Sequence, residues 1–318
     1  MKIAYALASG ILPTDELVKE YPEWTSEKVV AKTGVVSRHV VQNGETALDL
    51  AERAANGLFA SCGVKADDVD YLLLCTQSSE YILPSSACLL QNRLGIPTTA
   101  GALAFDHGCS GFIYGLSIAK GLVSGGMAKN VLLVTAETYT KYIAPEDKST
   151  RTIFGDGAAA MLVDEGVAAK IGAFSFGTDG SGAEKLIVRD GKLFMDGPDI
   201  FNFTLDVVPK TMEDVLAKNN LAHSDIDLYV FHQANKFMLD TIRKVNGLPR
   251  DKFYVNLETT GNTVSSTIPI ALKQLGDAGR LKPGMKVMLM GFGVGLSWGA
   301  TVLEILRQSQ NVAKGEVK

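Results

Sequence analysis

The chain has 318 residues, 46% of them hydrophobic, with 31 Lys+Arg against 35 Asp+Glu. That apolar share is enough for one large globular unit or two fused ones and rules out a disordered chain, while a net charge of −4 offers no broad basic surface to a phosphate backbone, so nucleic acid is not an expected partner. No apolar run approaches the ~18 residues that span a bilayer, and the opening run from Ile3 to Ala8 is shorter than the roughly 7–15 apolar residues of a signal peptide, so a cytoplasmic protein without a membrane partner is expected.

In chain order, Ile3 to Ala8 reads as a first strand. Residues 46–78, "TALDLAERAANGLFASCGVKADDVDYLLLCTQS", read as an amphipathic helix, a turn and an aspartate leading a buried strand. Cys62 falls at the helix end beside Gly63, Cys75 in the strand and Cys88 in a helical run after Pro84; each reads as filler. With no CxxC and no Cys/His zinc spacing, the four cysteines suit a reducing compartment without disulfides or a structural metal. The fourth, Cys109, stands between Gly108 and Gly111 where an apolar segment gives way to the helical pattern "CSGFIYGLSIAKGLVSGG". Two more apolar runs, 130–138 and 155–163, complete this part.

The same order then recurs. Residues 203–235 repeat helix, turn, aspartate and strand, with Asp227 matching Asp70; 285–293 match 130–138; and 298–306 match 155–163. Continuous apolar runs separated by helices predict a parallel sheet covered on both faces in each half. The expected fold is α/β with two pseudo-symmetric halves, 1–166 and 167–318. Residues 176–203 have no first-half counterpart, and their turn residues predict a hairpin over the site.

The repeat is what makes the chemistry legible. Cys109 aligns with Asn262 in "GNTVSSTIPIALKQLGDAG" at the start of the equivalent helix, so a pseudo-twofold axis brings thiol and amide together. His232 ends the strand "DLYVFHQAN", and strand ends are where sites form in open α/β sheets. A cysteine at a helix N-terminus is expected to ionise near neutral pH. By contrast, His39 and His223 read as packing or flanking residues, and His107 is placed only by its nearness to Cys109. The Gly-rich "GFGVGLSWG" (291–299) suits an oxyanion hole of backbone N–H groups and lacks the GxxxxGK[ST] of a phosphate loop.

With "KTGVVSRH" (32–39), "LPSSACLLQNRLGI" (83–96), "GCSGF" (108–112), "TIFGDGAAAML" (152–162), "FHQAN" (231–235), "GNTVSSTIP" (261–269) and "GFGVGLSWGA" (291–300) in order, the chain resembles β-ketoacyl-acyl carrier protein synthase III, a thiolase-fold condensing enzyme, nearly end to end. The resemblance implies a thiolase-like, five-layered αβαβα sandwich and a decarboxylating Claisen condensation. Cys109 would carry the acyl group of a primer thioester, His232 (neutral, Nε2–H inward) and Asn262 would stabilise the enolate of a malonyl-acyl carrier protein, and the N–H groups of Cys109 and Val294 would form the oxyanion hole. It further implies substrate contacts at Leu83, Phe292, Gly293, Lys28 and Lys148, and a homodimer pairing the "NVLLVTAET" strands. No resident cofactor is expected, because coenzyme A and phosphopantetheine thioesters are substrates.

Some positions depart from the family pattern. Lys28 and Lys32 stand where a Trp and an Arg contact coenzyme A, Trp24 lies four residues too early, and Lys148 replaces an arginine. Val294 replaces a glycine, which predicts a reshaped loop. Leu83 stands where a phenylalanine often limits the primer pocket, a hint of a longer or branched primer. Lys236, Arg243, Lys244, Arg250 and Lys252 read either as a docking surface for an acidic carrier protein or as an ordinary solvated face. The rival readings are an acyltransferase passing the acyl-Cys group to an alcohol or amine, against which Asn262 argues, and a non-catalytic partner subunit. A 3-hydroxy-3-methylglutaryl-CoA synthase would want a glutamate at Gln77.

Overall fold

The computed structural model describes residues 1–164 and 169–306. After β1 (Ile3–Leu7), an antiparallel ribbon of β2 (Gly10–Pro13) and β3 (Ser37–Val40) carries the helices α1 (Thr14–Leu17) and α2 (Ser26–Thr33). Then come α3 (Ala47–Cys62), β4 (Tyr71–Cys75), α4 (Ser86–Arg93), β5 (Gly101–Phe105), α5 (Gly111–Ser124), β6 (Val131–Glu137), α6 (Lys148–Arg151) and β7 (Gly157–Val163). The second half opens with β8 (Ala169–Thr178) and the hairpin β9 (Leu186–Arg189)–β10 (Lys192–Met195). It continues through α7 (Gly197–Lys218), β11 (Leu228–Phe231), α8 (Lys236–Val245), α9 (Thr267–Asp277), β12 (Lys286–Gly293) and β13 (Ser297–Ile305).

Local chemistry sets these boundaries. The Thr46 and Asp49 side chains cap α3 reciprocally, and Gly63 at φ +65 ends it in a left-handed turn. Asp190 and Gly191, both at positive φ, turn the β9–β10 hairpin, inside the segment where the sequence predicts one.

The two sheets repeat one topology, β1-β7-β6-β4-β5 and β8-β13-β12-β11. The fifth strand of the second sheet is reduced to a single bridge between Tyr229 and Phe253. The matched aspartates do the same work in both halves. Asp70 Oδ2 accepts from the N–H groups of Lys129 and Asn130 (2.8 and 2.9 Å), and Asp227 Oδ2 accepts from that of Lys286 (2.8 Å), each fixing the start of the neighbouring strand.

Packing stacks five layers: α3 and α4, the first sheet, α5 and α9, the second sheet, then α7 and α8. The apolar positions divide accordingly, with one core under α3, one between the sheets and one beneath α7 and α8.

Three expectations need correction or bounding. The sheets are mixed, because β7 and β13 run antiparallel to their neighbours; a strand buried on both faces reads as the same apolar run in either direction. The strand in "NVLLVTAET" is β6, paired with β7 on one side and β4 on the other, so it has no edge to offer a second copy. The free edges of that sheet are β1 and β5. The boundary between 166 and 167 lies outside the described residues.

Candidate active site

Cys109 sits on the loop after β5, two residues before α5, and is 6% exposed. Ser110 Oγ meets Ser297 Oγ at 2.7 Å, fastening this elbow to β13. β12 lies directly against it: a side chain at Gly291 would stand 2.7 Å from the Cys109 carbonyl and 2.8 Å from Ser110 Cα. At Gly111 the missing side chain leaves room for the Cys75 sulfur rather than for a substrate.

His232 follows β11, its N–H donating to the Met290 carbonyl (2.8 Å) and its ring edge-on to Phe292. Asn262 is held by two backbone bonds to the other half: its N–H donates to Ile153 O (2.9 Å) and its carbonyl accepts from Gly155 N–H (3.0 Å). Its Oδ1 accepts from the Val264 N–H (2.8 Å), which turns Nδ2 toward His232 Nε2 at 3.4 Å. Asn262 is not the first residue of its helix. A 3-10 turn, Val264–Ser266, intervenes before α9, with Val264 at φ +55, a left-handed conformation costly for a β-branched residue.

The hydrogen bonds assign the histidine tautomer. Thr267 Oγ1 lies 3.1 Å from the Val264 carbonyl and donates there, so it accepts from His232 Nδ1–H at 2.7 Å. Nε2 is then bare at rest and faces the Asn262 amide, the opposite of the inward Nε2–H expected. Burial depresses the imidazole to about 3, so the ring is neutral at physiological pH.

The cysteine also departs from expectation. Burial, then the nearby Glu137 carboxyl, push its thiol up to about 12, while the backbone N–H groups of Cys109 and Val294 pull the other way. Desolvation outweighs the helix N-terminus, and the sulfur is a thiol at neutral pH. Val294 itself keeps an ordinary φ, and Gly295 next to it takes φ +137.

Glu137, the last residue of β6, carried no weight in the sequence reading. It is fully buried and accepts from Gln77 N–H (3.1 Å), Ser78 Oγ (3.1 Å) and Ser265 Oγ (2.9 Å), while Ser266 Oγ meets Thr135 Oγ1 at 2.8 Å. Thus β6 pins the turn that orients Asn262 and His232. Burial pushes Glu137 up to about 8. An acidic residue closing the apolar run "VLLVTAE" was the available signal; Thr267 left none beyond its place in a polar run.

Cys109, His232, Asn262, Phe292 and Gly293 line one cavity of about 750 Å³, which extends past Phe201 and Phe237 to Trp24 and the exposed Lys28 and Lys32. Lys148 pairs with Glu23 over the Trp24 ring, beside this opening rather than in it. Leu83 is 79% exposed and lines neither this cavity nor the smaller one beside Val294. Lys236, Arg243, Lys244 and Arg250 border a separate groove across α8, joined there by Arg280. Lys252 is not on that groove and donates to the Ile226 carbonyl, while Arg243 borders the groove and also donates from one guanidinium nitrogen to the Leu248 carbonyl.

Family models for the C-terminal part of 3-oxoacyl-[acyl-carrier-protein] synthase III and for 3-oxoacyl-[acyl-carrier-protein] synthase III match residues 216–305 and 105–180. The β-ketoacyl-[acyl-carrier-protein] synthase III of Clostridium perfringens is 34% identical over 96% of this chain and 100% of its own length. The chain belongs to the β-ketoacyl-acyl carrier protein synthase III family. Among solved structures, a 3-oxoacyl-(acyl-carrier-protein) synthase III superposes with a TM-score of 0.92 at 46% identity, covering 95% of this chain and 98% of the other. The Thermus thermophilus synthase III gives 0.88 at 33%, covering 95% and 97%. The thiolase-like fold of this synthase III family follows from these superpositions.

Proposed function

We propose that this synthase III family member condenses an acyl primer with malonyl-acyl carrier protein by decarboxylative Claisen chemistry, with Cys109, His232 and Asn262 as its catalytic residues. The observation that carries the reading is one cavity lined by a thiol, an imidazole and a carboxamide, with two backbone N–H groups directed at the sulfur. In the first half-reaction the Cys109 sulfur bonds to the primer's acyl carbon, the bond from that carbon to the carrier sulfur breaks, and the thiol proton leaves on the departing thiol by way of the bare Nε2 of His232. The N–H groups of Cys109 and Val294 hold the tetrahedral oxyanion.

In the second half-reaction the malonyl C–C bond breaks, CO₂ departs, and the electron pair forms an enolate. Asn262 Nδ2–H and His232 Nε2–H donate to its oxygen; His232 reaches this tautomer when Nε2 takes a proton from solvent in the cavity, Nδ1 releases one to solvent, and the Thr267 hydroxyl turns to donate to the bare Nδ1. The carbanion then attacks the acyl carbon and releases Cys109. Asn262 held beside His232 supports condensation over simple acyl transfer, which needs no enolate donor.

Coenzyme A and phosphopantetheine thioesters enter as substrates, the arm running from Trp24, Lys28 and Lys32 inward. Lys236, Arg243 and Lys244 are retained as a carrier-protein contact, extended to Arg250 and Arg280. The halves 1–166 and 167–318 meet at this site, and the enzyme is cytoplasmic, where its cysteines stay reduced. It forms a homodimer through the free edge of β5, where Leu103 is exposed.

The test is intact-protein mass spectrometry after mixing with acyl-coenzyme A, followed by malonyl-acyl carrier protein. One acyl mass on wild type, none on Cys109→Ala, and CO₂ with a β-ketoacyl product are expected. No adduct, or an adduct transferred without CO₂, contradicts the reading.

A further inference from the structure

Ser110 and Ser297 do more than fasten the elbow to β13. Ser297 Oγ donates to the Val294 carbonyl at 2.7 Å, and with its one hydrogen committed there it can only accept from Ser110 Oγ, also at 2.7 Å. The bonds therefore run one way, from the Ser110 hydroxyl to the Ser297 hydroxyl to the Val294 carbonyl. Ser110 is fully buried and Ser297 is 3% exposed, so water does not compete for either bond.

This line joins the residue after Cys109 to the residue whose N–H bears on the Cys109 sulfur. That N–H needs support from outside its own backbone. Val294 lies just past the end of β12, with Gly293 before it and Gly295, at φ +137, after it, so its neighbours do little to fix its peptide planes. The Val294 side chain supplies one constraint: it seats against the elbow, where an atom added at Gly108 would stand 2.4 Å from its Cγ1. This contact sets how far the loop stands from Cys109. Ser297 sets how the loop is rotated. Gly293 is its partner in the β12–β13 register, and its hydroxyl holds the Val294 carbonyl, so one residue anchors Val294 on both sides. Leu296 and Asp179 exchange two backbone bonds (2.9 and 2.8 Å), tying the far end of the loop to the end of β8.

Oxyanion stabilisation depends on donors already aimed at the place where charge develops. Here the two donors come from opposite halves, and the serine pair is the side-chain link that sets one against the other. We propose that Ser297 is a positioning residue for acyl transfer, which aims the Val294 N–H at the tetrahedral oxyanion by holding the Val294 carbonyl. The inference rests on the condensing reading, because it concerns how the oxyanion of that reading is held.

The experiment compares two reactions of one sulfur in the full-length enzyme, followed by mass spectrometry of the Cys109 peptide. Acetylation by acetyl-coenzyme A passes through a tetrahedral oxyanion, and alkylation by iodoacetamide forms none. Losing an oxyanion donor outright costs about 10²–10³-fold, so a donor that is present but misaimed in Ser297→Ala should lower the acetylation-to-alkylation rate ratio by about 10-fold or more. Ser297→Thr and Ser297→Val share one shape and differ in the hydroxyl, so the first should restore the wild-type ratio and the second should fall with alanine. A displaced sulfur or a loss of folded protein slows both reactions and cancels in the ratio. Ser297→Ala or Ser297→Val at the wild-type ratio, or Ser297→Thr as low as Ser297→Val, overturns the positioning role while the condensing reading stands. Wild type that is alkylated at Cys109 but takes no acetyl group overturns the condensing reading, and the positioning role with it.

Discussion

A buried thiol two residues ahead of a helix experiences two opposed influences, and here burial wins. The backbone N–H groups at Cys109 and Val294 favour the thiolate, but complete desolvation and the Glu137 carboxyl hold the thiol near 12. The proton therefore leaves only as the acyl group arrives. Alkylation by iodoacetamide should rise about 10-fold per pH unit from pH 7 to 9 without a plateau. Glu137 is pushed up to about 8, so its negative charge develops across the upper part of that range and further opposes ionisation of the sulfur. Glu137→Gln removes that charge and should shift the alkylation curve to lower pH. A plateau below pH 8 in wild type, or no displacement in the variant, would show that burial does not govern the nucleophile. Whether the thiol ionises was not legible in the sequence, which displays the helix start and conceals the desolvation. The place of Cys109 at the centre of the cavity was legible, because a cysteine at a strand–helix corner has no packing reason to be there.

At the scale of elements, the elbow bearing Cys109 and the strand β12 belong to opposite halves and touch backbone to backbone at Gly291. Neither segment has a flexible side chain there to give way. Gly291→Ala should destabilise the protein by roughly 1–3 kcal/mol through overpacking and slow Cys109 acylation, measured by urea denaturation and adduct formation. Wild-type values for both would mean that the strand has room to retreat. The pairing of α5 with α9, and so of Cys109 with Asn262, was readable from the repeat because matched aspartates and matched strands fix the offset. Strand direction in β7 and β13 was not, since alternation carries no sign of orientation when both faces are buried. What Glu137 and Thr267 do for Asn262 and His232 was not readable either, beyond the oddity of an acidic residue closing the apolar run of β6. Their partners lie 128 and 35 residues away and come together only through the fold.

For the molecule as a whole, the two stacked sheets leave β5 with an unpaired edge on which Leu103 is exposed, and the loop before α4 exposes Tyr81, Ile82 and Leu83. An apolar edge of that kind is covered in a stable protein. Leu103→Asp on β5 should shift sedimentation from dimer to monomer, and a monomeric wild type would remove β5 as the interface. The doubled architecture makes one centre from two halves: Cys109 comes from the first and His232 and Asn262 from the second, with Glu137 and Asn262 bonded across the seam.

That division of labour is most directly tested in Asn262→Ala, a change that removes an enolate donor and leaves the sulfur, its N–H groups and the smaller cavity beside Val294 in place. Rapid-quench mass spectrometry with acetyl-coenzyme A and malonyl-acyl carrier protein should show acetyl accumulating on Cys109 while CO₂ release falls by about 10²–10³-fold, the usual cost of losing one such donor. Product formation at the wild-type rate, or acetyl carried on any residue other than Cys109, would contradict it.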